Sequence, residues 1–352
     1  MTTTTSGTTP GNRRVVVASL DDITLEHIAT PEAGPGEVLV RSTVVGICGS
    51  DMHAVHGRHP FVSLPMRPGH EVVGVVEGTG AGVDAALAGQ RVVIEPNLAC
   101  GHCTQCLSGR YNICSELDVF GCQTPGGMTD HFTIAADRVI PLPDDLDDAW
   151  AALIEPAATP VHAVRRAGDL HGRTVVVLGA GPIGLFVTLA AKAAGAASVV
   201  VGDPLESKRA LAVKVGAAGT FDPTTADAAA RAREALGGPA DVVFDCVSRE
   251  STVALAIEVL DKGGQLMIIG VPAGRTPIDL DLVQDRELTI RGNLMYVRED
   301  VQRAIELLQA KTFDLDDIVT ARFDLEQAAA AFRASDDPEH VKVLVTIGPA
   351  SA

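Results

Sequence analysis

Four of the chain's seven cysteines, Cys100, Cys103, Cys106 and Cys114, fall within the fifteen residues "CGHCTQCLSGRYNIC". Their spacing supplies four thiolates from one short loop, the donor set of a closed tetrahedral zinc site with no position left for a substrate. Ferredoxin runs also begin C-x2-C-x2-C, but here the fourth cysteine lies well downstream of the third and is followed by Ser115 rather than proline. The expected ion is therefore zinc, and its expected purpose is to staple the loop. Seven cysteines is an odd number, and in a reducing compartment clustered thiols hold metal more often than they pair as disulfides.

A reactive metal is sought among dispersed donors. "GICGSDMH" offers Cys48, "RPGHE" offers His70 and Glu71, and "ALIEP" offers Glu155, which Pro156 is expected to hold extended. One thiolate, one imidazole and one or two carboxylates make an open zinc site whose remaining position takes water or a substrate oxygen. Read singly, Cys48 is equally a small buried residue, and His70 a core histidine with its hydrogen bonds satisfied. Cys122 and Cys246 are read as small buried residues.

A third group binds phosphate. "VVVLGAGPIGLFVTLA" sets Gly179, Gly181 and Gly184 in G-x-G-x-x-G order, after a strand and opening a helix. Gly179 permits the tight turn, Gly181 lets backbone approach a pyrophosphate, and Gly184 lets helix pack on strand. Pro182 suits the first helical turn, where Ile183 and its neighbours offer amides to anionic phosphate. Asp203, at the end of the next apolar run, can bond the adenosine ribose and would repel a 2′-phosphate, so NAD is expected rather than NADP. Lys208 is expected at the ribose or in solvent; it and Arg209 are the cations that could accept an extra phosphate.

These positions need two kinds of framework. From Val15 to about Leu142, short alternating apolar runs broken by Gly and Pro predict antiparallel strands curled into a barrel or sandwich. From about Leu170, runs such as "TVVVLGAG", "ASVVVGD" and "GQLMIIG" alternate with alanine-rich helical stretches, which predicts a parallel sheet covered on both faces. A chain of 352 residues suits two such domains. Beyond about Leu294 a helix and a final strand are expected to return to the first domain.

Forty-five acidic against 28 basic residues give a net charge of -17, which excludes a basic footprint for nucleic acid or anionic membrane. The opening "MTTTTSGTTPGNRR" lacks a secretory apolar stretch, so a cytoplasmic protein is expected.

"GICGSD", "PGHE", the four-cysteine lobe, "ALIEPAATPVHAVRRAG", "GAGPIG" and Asp203 occur in an order and spacing that resembles the zinc-dependent medium-chain alcohol dehydrogenases, from about Val15 to Ile347. "IEPNLAC", "GRYNIC", "CQTP" and "GNLMY", with Glu155 in place of a third zinc-binding cysteine, resemble the sorbitol and polyol dehydrogenase branch. The resemblance implies an α/β protein: a GroES-like, mostly-β catalytic domain over 15–158 and 295–352, with a zinc lobe at about 97–116. A Rossmann doubly wound parallel-sheet domain would span 159–294, and residues 1–14 would form a disordered tail.

It also implies NAD, two zinc ions per chain, a small-molecule alcohol substrate, and a homodimer or homotetramer. Cys48, His70 and Glu71 would be the resting ligands of the catalytic zinc, with Glu155 reaching it directly or through water. Ser50 would touch the substrate hydroxyl and His53 would relay its proton; the alternatives are that Ser50 caps a helix beginning at Asp51 and that His53 is a surface residue. Phe120, Thr124 and Tyr296 would line the substrate pocket. Val271, Pro272 and Ala273, with Leu294, Met295 and Tyr296, would lie along the nicotinamide half of the cofactor.

Two positions depart from the branch: Ala54 stands where it carries tyrosine and Met295 where it carries arginine. The pocket is thus expected to be less polar, which leaves an amino alcohol, an aminocyclitol or a less polar secondary alcohol beside a polyol as substrate. A non-catalytic NAD-binding module is the reading from another class, and the retention of every open-site ligand argues against it.

Overall fold

The computed structural model describes residues 11–272 and 274–348. Its contacts divide the chain into two compact units.

The first unit gathers the chain up to Leu98, Asp118–Ala152 and the chain from Ala321. Among the described residues its main sheet has seven strands, all the recorded pairs within it being antiparallel. The central strand is Glu37–Ile47, flanked by Glu71–Thr79 on one edge and by Lys342–Thr346 and His131–Ala135 on the other. Its alternation places Val38, Val40 and Ser42 inside while Glu37, Leu39 and Arg41 are less buried. The core is made mainly of valines from these strands with Phe132 and Phe332. The predicted antiparallel framework is what forms.

The first strand, Asn12–Ser19, begins earlier than the expected tail boundary at residue 14. The Asn12 side chain donates to His131 O at 2.8 Å, and Arg13, only 6% exposed, is ion-paired with Asp130. Two polar side chains satisfied this well belong to a folded strand. The rest of the expected tail, residues 1–10, lies outside the described residues.

The second unit comprises Ala99–Leu117 and Leu153–Thr320. Its six-stranded parallel sheet runs Gly219–Phe221, Ser198–Gly202, Thr174–Leu178, Ala240–Asp245, Leu260–Ile268, Thr289–Gly292. In chain order that is 3-2-1-4-5-6, the doubly wound Rossmann arrangement with its switch point beside the first strand. Val175, Val176, Val177 and Leu178 are fully buried in succession, as a strand covered on both faces requires.

The division differs from the expected one at its later boundary. The helix Arg298–Gln309 packs on the helix Ile154–Ala167, and Asp300 accepts from His162 Nδ1 at 2.8 Å and Arg165 Nε at 2.6 Å. This ion-paired contact keeps residues 295–320 with the second unit, and the chain rejoins the first only at Ala321. The cysteine lobe also clusters with the second unit: Asn112 Nδ2 donates to Leu294 O at 2.8 Å, and Arg298 N donates to Tyr111 Oη at 2.5 Å.

Candidate active site

In the first unit the chain turns from the end of strand Glu37–Ile47 into the short helix Gly49–Val55, whose N-cap is Cys48. The Asp51 carboxylate accepts from Cys48 N at 3.0 Å, closing that turn. Glu71 opens the neighbouring strand in register with Gly46, and His70 immediately precedes it. Pairing thus brings Cys48 Sγ, a His70 ring nitrogen and a Glu71 oxygen to within 4.8 Å of one another. His70 and Glu71 are buried and Cys48 is half-buried, so the cluster meets the surface on the thiolate side.

The ring of His70 is held from both sides. Nδ1 lies 3.8 Å from both Asp51 Oδ1 and Cys122 Sγ, and Nε2 lies 3.4 Å from Ser50 Oγ. Burial lowers the imidazole pKa, yet Cys122, Asp51 and Cys48 outweigh it and hold it well above the usual histidine value. A buried pocket that draws positive charge this strongly, with one sulfur, one nitrogen and one carboxylate donor converging, fits a divalent cation with a position to spare. The helix begins at Gly49, so Ser50 is not its cap; its hydroxyl faces His70 instead. His53, in the last turn, is half-buried, and burial followed by Arg58 and His56 lowers its pKa.

Cys122 is therefore more than a small buried residue, since it contacts a donor of the cluster. Phe120 packs against Phe132, ring centroids 5.0 Å apart, in the core of the first unit. With Thr124 it lines a pocket of about 470 Å³ whose walls include Leu98, Phe132 and Ile134 but none of Cys48, His70 and Glu71.

Glu155 belongs to the second unit, in the first turn of helix Ile154–Ala167. The expectation that Pro156 holds it extended is not met: both residues are helical, because proline costs little where the first amides lack partners anyway. Tyr296 Oη, buried, donates to Glu155 Oε1 at 2.5 Å, so this tyrosine is anchored to the carboxylate.

The glycine fingerprint takes the expected form. Gly179 has φ +95° and its amide donates to Gly202 O at 2.7 Å. Gly181 is the N-cap of helix Pro182–Ala193, Pro182 and Ile183 fill its first turn, and a Cβ on Gly181 would meet no atom within 4 Å, leaving room for a phosphate. Asp203 is buried, its two oxygens accepting from Ala180 N at 2.8 Å and Leu205 N at 2.9 Å. It therefore braces the glycine turn. Arg209 is committed to the carbonyls of Asp203 and Pro204 at 2.7 and 2.8 Å, and Lys208 lies on the helix Glu206–Lys214. Val271, Pro272 and Leu294 are exposed, Met295 is half-buried with φ +46°, and Ala273 lies outside the described residues.

The lobe cysteines also converge. Cys103 Sγ lies 3.5 Å from Cys106 and 3.9 Å from Cys114, and Cys100 lies 4.0 Å from Cys106. Four sulfurs at ~2.3 Å from a tetrahedral zinc sit about 3.8 Å apart, and a disulfide needs about 2 Å, so the spacing fits the ion.

Besides Cys122, two participants have no place in the reading from sequence. Asp51 carried a signal, an acid three residues after Cys48. Lys342, whose Nζ is 2.7 Å from both oxygens of Glu71, carried none, being 271 positions away in the chain.

Comparison with known proteins follows the same division. Residues 34–144 match the alcohol dehydrogenase GroES-like domain, and 182–310 match the zinc-binding dehydrogenase domain. The chain is 37% identical to sorbitol dehydrogenase of Bos taurus over 97% of each chain. It superposes on 2R,3R-butanediol dehydrogenase from Bacillus subtilis with TM-score 0.87 and 30% identity, covering 95% of this chain and 99% of that one. A structure described as a short chain alcohol dehydrogenase from E. coli CFT073, complexed with NADH, matches with TM-score 0.89 and 25% identity over 96% and 99% of the two chains.

Proposed function

The chain belongs to the zinc-dependent medium-chain alcohol dehydrogenases, in their sorbitol dehydrogenase-like branch, and from that premise we propose that it oxidises a secondary hydroxyl of a polyol or cyclitol reversibly to the ketone, with NAD rather than NADP as acceptor. It is an alcohol or polyol dehydrogenase that uses zinc and a nicotinamide cofactor. The observation that carries the reading is the convergence of Cys48, His70 and Glu71, three donors with a half-buried thiol at the open side.

Cys48, His70 and Glu71 would hold the catalytic ion, with Glu155 as a further carboxylate, and Cys100, Cys103, Cys106 and Cys114 the structural one. Bound there, zinc supplies Lewis acidity toward the substrate oxygen and the nicotinamide supplies the hydride acceptor. Ser50 Oγ would accept the hydroxyl proton as it gives up its own, and His53, whose pKa burial lowers, would receive the released proton and pass it toward solvent. Gly181, Ile183 and Gly184 would offer backbone amides to the pyrophosphate while Gly179 makes the turn and Pro182 opens the helix, Asp203 and Lys208 would attend the ribose, and Val271, Leu294 and Met295 would lie along the nicotinamide half. Phe120 and Thr124 would touch the substrate from the first unit, and in the second unit Tyr296 would act through its bond to Glu155.

A second reading, a less polar or amino alcohol, is favoured by Ala54, 2% exposed, and Met295, neither of which can donate to an extra hydroxyl. Comparing kcat/KM for sorbitol, xylitol, threonine and 2-butanol, each with NAD and NADP, decides between them. A polyol advantage of about 10-fold or more supports the first reading, and parity with 2-butanol overturns it.

A cytoplasmic homodimer or homotetramer belongs to the same proposal. The edge strand Thr289–Gly292 and the exposed Ile278 and Leu280 of the second unit support self-association. Light scattering at micromolar concentration tests it, and a monomer contradicts it.

A further inference from the structure

We infer that Lys342 is a positioning residue for the open metal centre: it holds the Glu71 carboxylate as a displaceable ligand and keeps it from closing on the ion. This rests on the zinc reading of the Cys48, His70 and Glu71 cluster.

The geometry comes from three adjacent strands. Lys342 begins the strand that pairs on one side of Glu37–Ile47, with Val343 opposite Ile47 and Leu344 opposite Gly46. Glu71 begins the strand on the other side and is itself opposite Gly46. The two side chains therefore meet across the central strand at its one side-chain-free position near the cluster. A Cβ on Gly46 would fall 1.9 Å from Glu71 Oε2. Lys342 Nζ donates to Glu71 Oε1 and Oε2, both at 2.7 Å, and to Ile47 O at 3.1 Å. Lys342 is 2% exposed and Glu71 is fully buried.

An ammonium equidistant from both carboxylate oxygens does two things. It removes part of the negative charge that Glu71 could give a cation, so an ion held also by the Cys48 thiolate keeps more of its own positive charge. It also gives the carboxylate a second place to rest, so that leaving the ion does not strand a buried charge. A cavity without Lys342 would offer Glu71 only the metal, which would then be held tightly and closed to substrate. The inference is thus a specific sign: removing the lysine tightens the metal while impairing turnover, whereas a purely structural lysine would loosen it.

The test compares wild type, Lys342→Met and Lys342→Arg in the full chain, measuring zinc loss to a chelator, the visible spectrum after cobalt substitution at the open site, and kcat against KM. For Lys342→Met the expected results are zinc loss about 10-fold slower, a changed cobalt spectrum as the carboxylate engages, and kcat lower by about 10–100-fold. Lys342→Arg should restore all three to within about threefold, because its guanidinium also bridges a carboxylate. Faster zinc loss, or no change in loss rate and spectrum, overturns the inference.

If Lys342→Met does not fold, Glu71→Gln is compared with Glu71→Gln/Lys342→Met, which removes both charges together. Equal zinc-loss rates in that pair support the inference, and rates differing by more than about threefold overturn it. Wild-type protein carrying zinc in the cysteine lobe alone would instead refute the reading on which the inference rests.

Discussion

Gly184 stands so close to Gly179 that a Cβ on it would lie 1.8 Å from the Gly179 carbonyl oxygen. The helix Pro182–Ala193 can approach the strand Thr174–Leu178 this closely only because residue 184 is glycine, while Gly179 supplies the φ of +95° that the turn requires. Gly184→Val is expected to weaken NADH binding by about 10-fold or more, since the helix must move away, and to leave both zinc sites filled. Fluorescence titration with metal analysis checks it; wild-type affinity contradicts it.

Cys48→Ala removes the sulfur donor of the open site and leaves the second unit unchanged. Zinc is expected to fall from two ions per chain to one, turnover to vanish, and NADH affinity to stay within about twofold. Normal turnover by this variant removes the mechanism.

Cys106→Ser opens the other cluster. A structural zinc contributes folding free energy, so the midpoint of thermal unfolding should fall by about 10 °C, while kcat measured well below that midpoint persists. An unchanged midpoint argues that the lobe holds no metal.

Asp300 links the helix Arg298–Gln309 to His162 and Arg165. Burial alone raises its pKa, but hydrogen bonds from His162 and Arg165 reverse this and hold it at about 2. Since the folded value lies below the unfolded one of about 3.9, its stabilising contribution is complete above pH ~4 and is lost as pH falls toward ~2. Asp300→Asn is expected to cost about 3 kcal/mol at neutral pH, with the difference from wild type closing as pH drops through that window. Urea unfolding at pH 7 and pH 3 measures it; a pH-independent difference contradicts the assignment.

What was legible in the sequence was local. The lobe's four cysteines and the three fingerprint glycines lie close along the chain, so their spacing alone carried their geometry. Cys48, His70 and Glu71 were legible as donor types, but their convergence needed the pairing of Glu71 with Gly46. Lys342 was invisible because a lysine in a final strand has no local signature, and its burial depends on a partner from the opposite end of the chain. The boundary near residue 294 was misread for a similar reason. Asp300 looks like a first-turn acid of a surface helix until His162 and Arg165 are found beside it. Phe120 and Thr124 carry no donor chemistry of their own, so their place beside a substrate is legible only through the resemblance, and the pocket they line includes none of Cys48, His70 and Glu71.

Direct transfer of hydrogen from the carbinol carbon is the central claim, and isotope labelling tests it most directly. Sorbitol or xylitol deuterated at the reacting carbon is incubated with NAD and metal-quantified protein, before and after selective removal of the Cys48 site zinc, and the cofactor is analysed by mass spectrometry. The account predicts one deuterium in the reduced cofactor for each ketone formed, and no reduced cofactor after zinc removal. Reduced cofactor without deuterium, or formation that persists unchanged without that zinc, would contradict it.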